Sequence, residues 1–156
     1  MDKSQFLNRL IETLRDECMH AIKASKDAAD YATDEESRPE SQWDTQGLEA
    51  SYLAAGQASQ ARQWAAEVEE LQSEREDLLK KRMRVGLGAL FSCDLAGTEE
   101  WFFFAGVAGG HVVKMEHVDV TVITHQSTLA SSLRGKQAGE EFTMPSGMAA
   151  KVLSVE

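Results

Sequence analysis

Between Asp27 and Glu49 the chain carries eight carboxylates, Asp27, Asp30, Asp34, Glu35, Glu36, Glu40, Asp44 and Glu49, against the single base Arg38. Carboxylate oxygens are what a hard cation such as Mg²⁺ takes as ligands, so this stretch could hold or share a divalent ion. The same acids are also what a solvated turn carries, and composition alone leaves both readings open. Other chemistry has less support. His111, His117 and His125 stand six and eight residues apart with no cysteine or paired carboxylate framing them, which is not zinc-ligand spacing. Cys18 and Cys93 lie in different halves of the chain without metal-ligand spacing. Ser127 has no neighbouring base to make it a nucleophile, and no phosphate-binding glycine loop is present.

The elements that must position the acidic stretch are helical. Before it, Leu7, Ile11, Leu14, Cys18, Ala21, Ser25 and Ala28 follow alternating steps of four and three, a heptad seam. After it, Gln57, Ala61, Trp64, Val68, Leu71, Arg75 and Leu78 repeat the same spacing. The first seam shrinks from Leu and Ile to Ala and Ser as it nears the acids, and the second grows with distance from them. An antiparallel pair would therefore match small residues near the acidic end and large ones at the base. Pro39 and Gly47 lie between the arms and favour a hairpin over a parallel homodimeric coiled coil. Asp2 or Ser4 could cap the first helix. With arms of roughly 30 to 38 residues, the finger should be on the order of 45–55 Å long.

Past Val85 the composition changes. Nine of the 11 glycines lie there, with runs of Val and Phe. VGLGALFSCDL, EEWFFFAGVAGG, HVDVTVITH, EEFT and AAKVLSVE read as strands, and MPSGM (Met144 to Met148) as a Pro/Gly turn between the last two. Trp101-Phe102-Phe103-Phe104 reads as a core strand whose alternate rings could instead face a partner. Ser127 to Leu133 reads as a short helix with Gly135 as its C-terminal cap. The fold class expected is α+β: residues 1–84 as an antiparallel helical hairpin with an acidic tip, and residues 85–156 as a small sheet with one short helix.

The formal net charge is −10. Residues 1–84 hold 18 acids against 12 bases, and residues 85–156 hold 8 against 4. Nucleic-acid backbone binding needs clustered cations, and the short run Lys80, Lys81, Arg82 and Arg84 sits where a helix end already favours them. A protein partner with a basic channel or rim fits the charge better. MDKSQFLNRL reads as a polar helix start rather than a secretory leader, and no apolar run approaches the ~20 residues that span a bilayer. A cytoplasmic, bacterial setting with free thiols is the expectation.

The second half resembles the C-terminal domain of the Gre-type bacterial transcription elongation (transcript cleavage) factors. The resemblance rests on Ser127-Thr128-Leu129, the helix Ala130-Ser131-Ser132, Leu133-Arg134-Gly135-Lys136, Gly139-Glu140, and the closing MPSGMAAKVLSVE. GALFSCDLAGTEEWFFFAG is similar to that family's strand, acidic turn and strand. The first half is similar to its N-terminal coiled coil, with Trp43-Asp44-Thr45-Gln46-Gly47-Leu48-Glu49-Ala50-Ser51-Tyr52 in the frame of the acidic tip. Asp44 matches the first tip carboxylate. Glu49 follows five residues later rather than three, Ser37 to Gln42 lengthen the turn, and Arg134 replaces an apolar residue, which marks a divergent member.

The resemblance implies an FKBP-like C-terminal domain and a protein, not itself an enzyme, that binds RNA polymerase. The globular part would dock near the mouth of the secondary channel through Ser127, Leu129, Leu133, Gly135 and Lys136. The tip would reach toward the active centre, where Asp44 and Glu49, with Asp34, Glu35, Glu36 and Glu40 as substitutes, would complete a Mg²⁺ shared with the polymerase for hydrolysis of backtracked RNA. RNA and DNA would be met only within the elongation complex. No stably bound cofactor, membrane or small-molecule substrate is implied. Three alternatives stay open: a channel-occupying inhibitor or regulator without cleavage stimulation, a coiled-coil adaptor, and an FKBP-like prolyl isomerase.

Overall fold

The computed structural model describes residues 1–33 and 46–156. By contact the chain divides into two compact units, Met1–Ile11 with Glu69–Glu156, and Glu12–Val68. This division runs along a different line from the composition shift near Arg84–Gly86: the opening helical turns and the last turns of the second arm group with the sheet. Among the described residues no helix is long and apolar enough to cross a membrane.

Helix α1 (Lys3–Thr33) and helix α2 (Gln46–Ser73) supply the helical unit. Asp2 caps α1, its Oδ1 accepting from Ser4 N at 2.8 Å and Gln5 N at 3.2 Å. Within Glu12–Val68, Leu14, Ala21, Ala61 and Val68 are buried, while Cys18, Ser25, Ala28, Gln57 and Trp64 are half-buried. No position of the expected seam is exposed. Cys18 Sγ donates to Ala61 O at 3.3 Å, and Ser25 Oγ to Ala54 O at 2.9 Å. Seven residues forward in α1 match seven back in α2, which is the antiparallel register. Side chains of that size reach the facing backbone only because the two helices approach closely there.

After α2 the path stays helical through Glu74 into the short α3 (Arg75–Leu78), with Glu74 N bonded to Glu70 O and Leu78 N to Glu74 O, each at 3.0 Å. The basic run follows it. Asp77 accepts from Lys80 Nζ at 2.9 Å and Arg82 Nη2 at 2.7 Å, and Arg82 also donates to the Asp77 carbonyl at 3.1 Å. The Lys80 hydrogen bond, aided by the Arg82 charge, holds the Asp77 carboxyl below its usual range. These cations thus satisfy the helix end, as the dipole argument requires.

Among the described residues six strands form one sheet: β1 (Leu90–Leu95), β2 (Thr98–Phe104), β3 (Val112–Lys114), β4 (Asp119–Ile123), β5 (Glu141–Thr143) and β6 (Ala149–Val155), in the order β3-β4-β2-β1-β6-β5. The only parallel pair in it is β2 with β4; the other neighbours are antiparallel. Strand β3 is absent from the expectations above. It is three residues long, lies at the sheet edge, and carries the chain back so that β4 can run parallel beside β2. The expected first strand also begins late, because Gly86 to Ala89 make a turn in which Gly88 takes φ +79° and passes so close to Leu78 that a Cβ would stand 3.1 Å from its Cα and carbonyl oxygen.

Alternation along β2 sends Phe102 and Phe104 to one face and Trp101 and Phe103 to the other. The first pair joins Phe91, Cys93, Ile123, Phe142, Ala150 and Val152 under helix α4 (Thr128–Leu133), which contributes Ala130 and Leu133. On the opposite face the Phe103 ring lies 4.9 Å from that of Phe6 in the first turns of α1. Phe102, Phe103 and Phe104 are therefore all buried and face no partner, while Trp101 is half-exposed. Cys93 is enclosed in the same core, and burial pushes its thiol up to about 12.

The β1–β2 hairpin turns on Ala96 and Gly97, at φ +57° and +89°, with Gly97 N donating to Asp94 Oδ1 at 2.7 Å. Positive φ at both central residues is the type I′ geometry that Asn-Gly prefers and Ala resists. Ala96→Asn is expected to raise the unfolding free energy by about 0.5–1 kcal/mol in urea titrations. Phe103→Ala should lower it by about 3–5 kcal/mol; a loss below about 1 kcal/mol would show that the Phe6 contact is not structural.

Candidate functional site

Asp34, Glu35, Glu36, Glu40 and Asp44 lie outside the described residues, as do Arg38, Pro39 and Trp43. What the structure describes is the pair of helix ends that flank them. Asp27 and Asp30 are exposed in the last turns of α1, and Glu49 is exposed in the first turn of α2. An acid in that turn is favoured by the N-terminal end of the helix dipole. Tyr31 Oη donates to Gln46 Oε1 at 3.2 Å, joining the end of α1 to the start of α2 within the acidic stretch. Tyr31 and Gln46, with Ala28, Glu49, Ala50 and Leu53, line an open concavity of about 380 Å³. Among the described residues no three His, Cys, Asp or Glu side chains converge to hold a metal ion. His111 instead sets its Nδ1 3.1 Å from Ala108 O.

The second group of candidate residues sits on α4 and the turn after it. Ser127 is the N-cap by backbone position, with extended φ and ψ, but its side chain makes no cap hydrogen bond. Leu129 packs partly against the core and Leu133 is fully buried, so the Leu133 side chain seats the helix instead of facing a partner. Leu133 O accepts from Lys136 N at 3.0 Å, with Arg134 at φ −54°, ψ 127° and Gly135 at φ +82°. That is a type II β-turn, with glycine where its second central residue needs positive φ. The expected helix-cap glycine thus sits one residue past the cap, and its requirement comes from the turn.

The same turn forms a bulge against the segment after α3. Gly135 N donates to Val85 O and Val85 N to Lys136 O, both at 2.8 Å, so two residues oppose one. Arg84 is brought over the turn as a result, its Nη1 donating to Gly135 O at 3.0 Å. With its amide oriented to place oxygen toward Arg84, Gln137 also accepts from Nη1 at 2.8 Å and from Nε at 3.2 Å. Gly139-Glu140 is a further lock: Gly139 N bonds to Val152 O, Val152 N to Glu140 O, and Glu140 Oε2 accepts from Gln137 N at 2.6 Å. Sequence reasoning treated Arg84 as a helix-end charge and missed this placement. Its partner lies 51 residues away, and no local pattern announces it.

No family model and no curated protein matches the chain. Among solved structures it is similar to the crystal structure of GreA factor homolog 1 (Gfh1) of Thermus thermophilus, at 20% identity and a TM-score of 0.37, over 97% of this chain and 93% of that one. A structure of the transcription factor Gfh1 aligns at 19% identity and 0.37, over 96% and 92%. Thermus aquaticus Gfh1 aligns at 18% and 0.35, over the same shares.

A Cβ on Gly135 would meet nothing within 4 Å, so any cost of replacing it comes from the backbone alone. Gly135→Ala should destabilise the protein by about 1–2 kcal/mol in urea titrations. An unchanged midpoint would mean that the turn relaxes without cost.

Proposed function

We propose that this chain is a Gre-like transcription factor that binds RNA polymerase at the secondary channel and is not itself an enzyme. The observation that carries the reading is the antiparallel α1–α2 pair, whose small-residue seam runs up to the acidic stretch on a chain that also holds the Leu133-Arg134-Gly135-Lys136 turn. In α1 alone 31 residues at ~1.5 Å each give about 46 Å of helix, a length suited to carrying an acidic tip along a channel. The tip is proposed to stimulate cleavage of backtracked RNA by the polymerase.

Asp44 and Glu49 are assigned as the first tip ligands, with Asp34, Glu35, Glu36 and Glu40 behind them. Their carboxylates would supply oxygen ligands to a Mg²⁺ held mainly by the polymerase, which would contribute an activated water for phosphodiester hydrolysis. The role of this chain is then to bring one or two carboxylates to that ion and hold them there. Exposure of Glu49 in the first turn of α2 suits that role. RNA and DNA enter only as parts of the elongation complex.

The test is RNA cleavage in purified, backtracked elongation complexes. Wild-type protein should shorten the transcript, and Asp44→Ala with Glu49→Ala should abolish the effect. Stimulation that survives the double substitution would move the ligands to Asp34–Glu40. Competition with a known channel-binding factor but no cleavage would assign a channel-occupying regulator. Absence of both cleavage and competition would overturn the polymerase reading.

A further inference from the structure

We infer that the open sheet face between Trp101 and the β1–β2 turn, with the concavity beside Lys151, binds an arginine-bearing segment of a protein partner. It is the face that Phe6 covers at Phe103. Two residues back along β2, Trp101 is half-exposed, and Thr98, Glu99 and Glu100 are exposed. Alternation puts Glu99 on the same face as Trp101, about 7 Å away along the strand.

Register fixes what stands beside them. Glu99 lies opposite Asp94, Asp94 opposite Lys151, and Lys151 opposite Glu141. One row across β2, β1, β6 and β5 thus holds three acids against one base. Like charges directly opposite each other destabilise an antiparallel pair, and Asp94 with Glu99 is such a pair. An external cation placed between them removes that cost. Glu99, Lys151 and Glu141 are exposed and Asp94 is half-buried. Gly97 N donates to Asp94 Oδ1 at 2.7 Å, which orders this carboxylate before any partner arrives.

At the end of the row Asp94, Glu141 and Lys151 line an open concavity of about 280 Å³, with Ala96, Gly97 and Ala149 among its other walls. Residues this small leave room for a long aliphatic stem, and the carboxylates stand where its cationic head arrives. At the other end the Trp101 ring offers a face to a cation. Arginine suits both places better than lysine, because its planar head stacks on a ring and bonds a carboxylate with two donors. Three strand spacings of ~4.8 Å put Glu99 and Glu141 about 14 Å apart, so two cationic side chains on one short segment can reach both.

Charge complementarity decides the class of occupant. A nucleic-acid backbone or an acidic segment would be repelled by this row. A metal ion has no cage here, since among the described residues no three His, Cys, Asp or Glu side chains converge. The residues assigned above to polymerase docking are not part of this face, and the inference does not rest on that reading.

The experiment uses the full chain and a fluorescent peptide with two arginines in a Gly/Ser background, beside its lysine and uncharged citrulline counterparts. Anisotropy titrations should rank arginine above lysine and show no binding of the citrulline peptide, with affinity falling as salt is raised. Glu99→Gln with Glu141→Gln should weaken the arginine peptide by about tenfold, and Lys151→Met should tighten it by about threefold. These three side chains are exposed, and Glu99→Gln removes a like-charge neighbour of Asp94, so the variants should stay folded. Glu69→Gln with Glu76→Gln, exposed on the helices, should leave binding unchanged. In nitrogen-labelled protein the Trp101 indole N–H signal should shift on binding and that of Trp64 should not. Equal affinity for the citrulline peptide, binding unaffected by the Glu99 and Glu141 changes, displacement by an equal concentration of spermidine, or no binding of any probe would each overturn the inference. Peptide binding by a protein that does not bind polymerase would overturn only the polymerase reading. Polymerase binding without peptide binding would overturn only this one.

Discussion

The contact between Phe103 and Phe6 is where the sheet and the first helix become one core. Phe103 belongs to β2, whose edges are taken up by β1 and β4, and both faces of the Phe102–Phe104 segment are covered. One is covered by α4 and the cluster around Phe91 and Phe102, whose rings stack 5.6 Å apart. The other meets Phe6, fully buried like Leu7 and Leu10 in the same opening turns. The part of β2 covered on both sides has no solvent face to call for polar residues, which is why three phenylalanines follow one another there, whereas Thr98, Glu99 and Glu100 at its start are exposed. The first eleven residues are therefore part of the sheet unit although they are helical.

Around that core, short stretches are held by bonds to distant backbone. Lys3 Nζ reaches three carbonyl oxygens, those of Lys80 at 2.5 Å, Gly88 at 2.9 Å and Glu156 at 3.4 Å. Burial and the nearby Arg82 charge lower its pKa, partly offset by Glu156. One ammonium thus ties the segment after α3 at both its ends. Val85 does the same at the α4 turn. The loops are defined by where their backbone hydrogen bonds go, and their own composition says little about it.

The helical unit follows a different logic. Its seam tapers from leucine to alanine and serine, and the small end is where side chains touch the facing backbone at Ala61 and Ala54. Close approach of that kind keeps the helical pair narrow there. Its acidic end carries mostly like charges, which repel one another unless an external cation or basic partner balances them.

The two helices, their heptad seam and its antiparallel sense were legible in the sequence because all of these follow from spacing of three and four along a continuous helix. Five of the six strands were also readable, since β-branched and aromatic runs between glycines need no knowledge of their partners. The type II turn at Gly135 was half legible: a glycine was required, but the reason for it depends on Arg134 and on the bulge with Val85. Strand β3 was not legible, because three edge residues acquire strand character only from β4. The position of Arg84 and the burial of Leu133 were likewise decided by tertiary structure. A residue's neighbours at long range are set by how elements pack, and no local pattern of side chains encodes which backbone oxygen a distant nitrogen will find. The sequence by itself determined the helical seam, the acidic stretch and the glycine-bounded strands; only the tertiary structure decided the parallel β2–β4 pairing and the gathering of Arg84, Arg134 and Lys136, because both depend on contacts far apart along the chain.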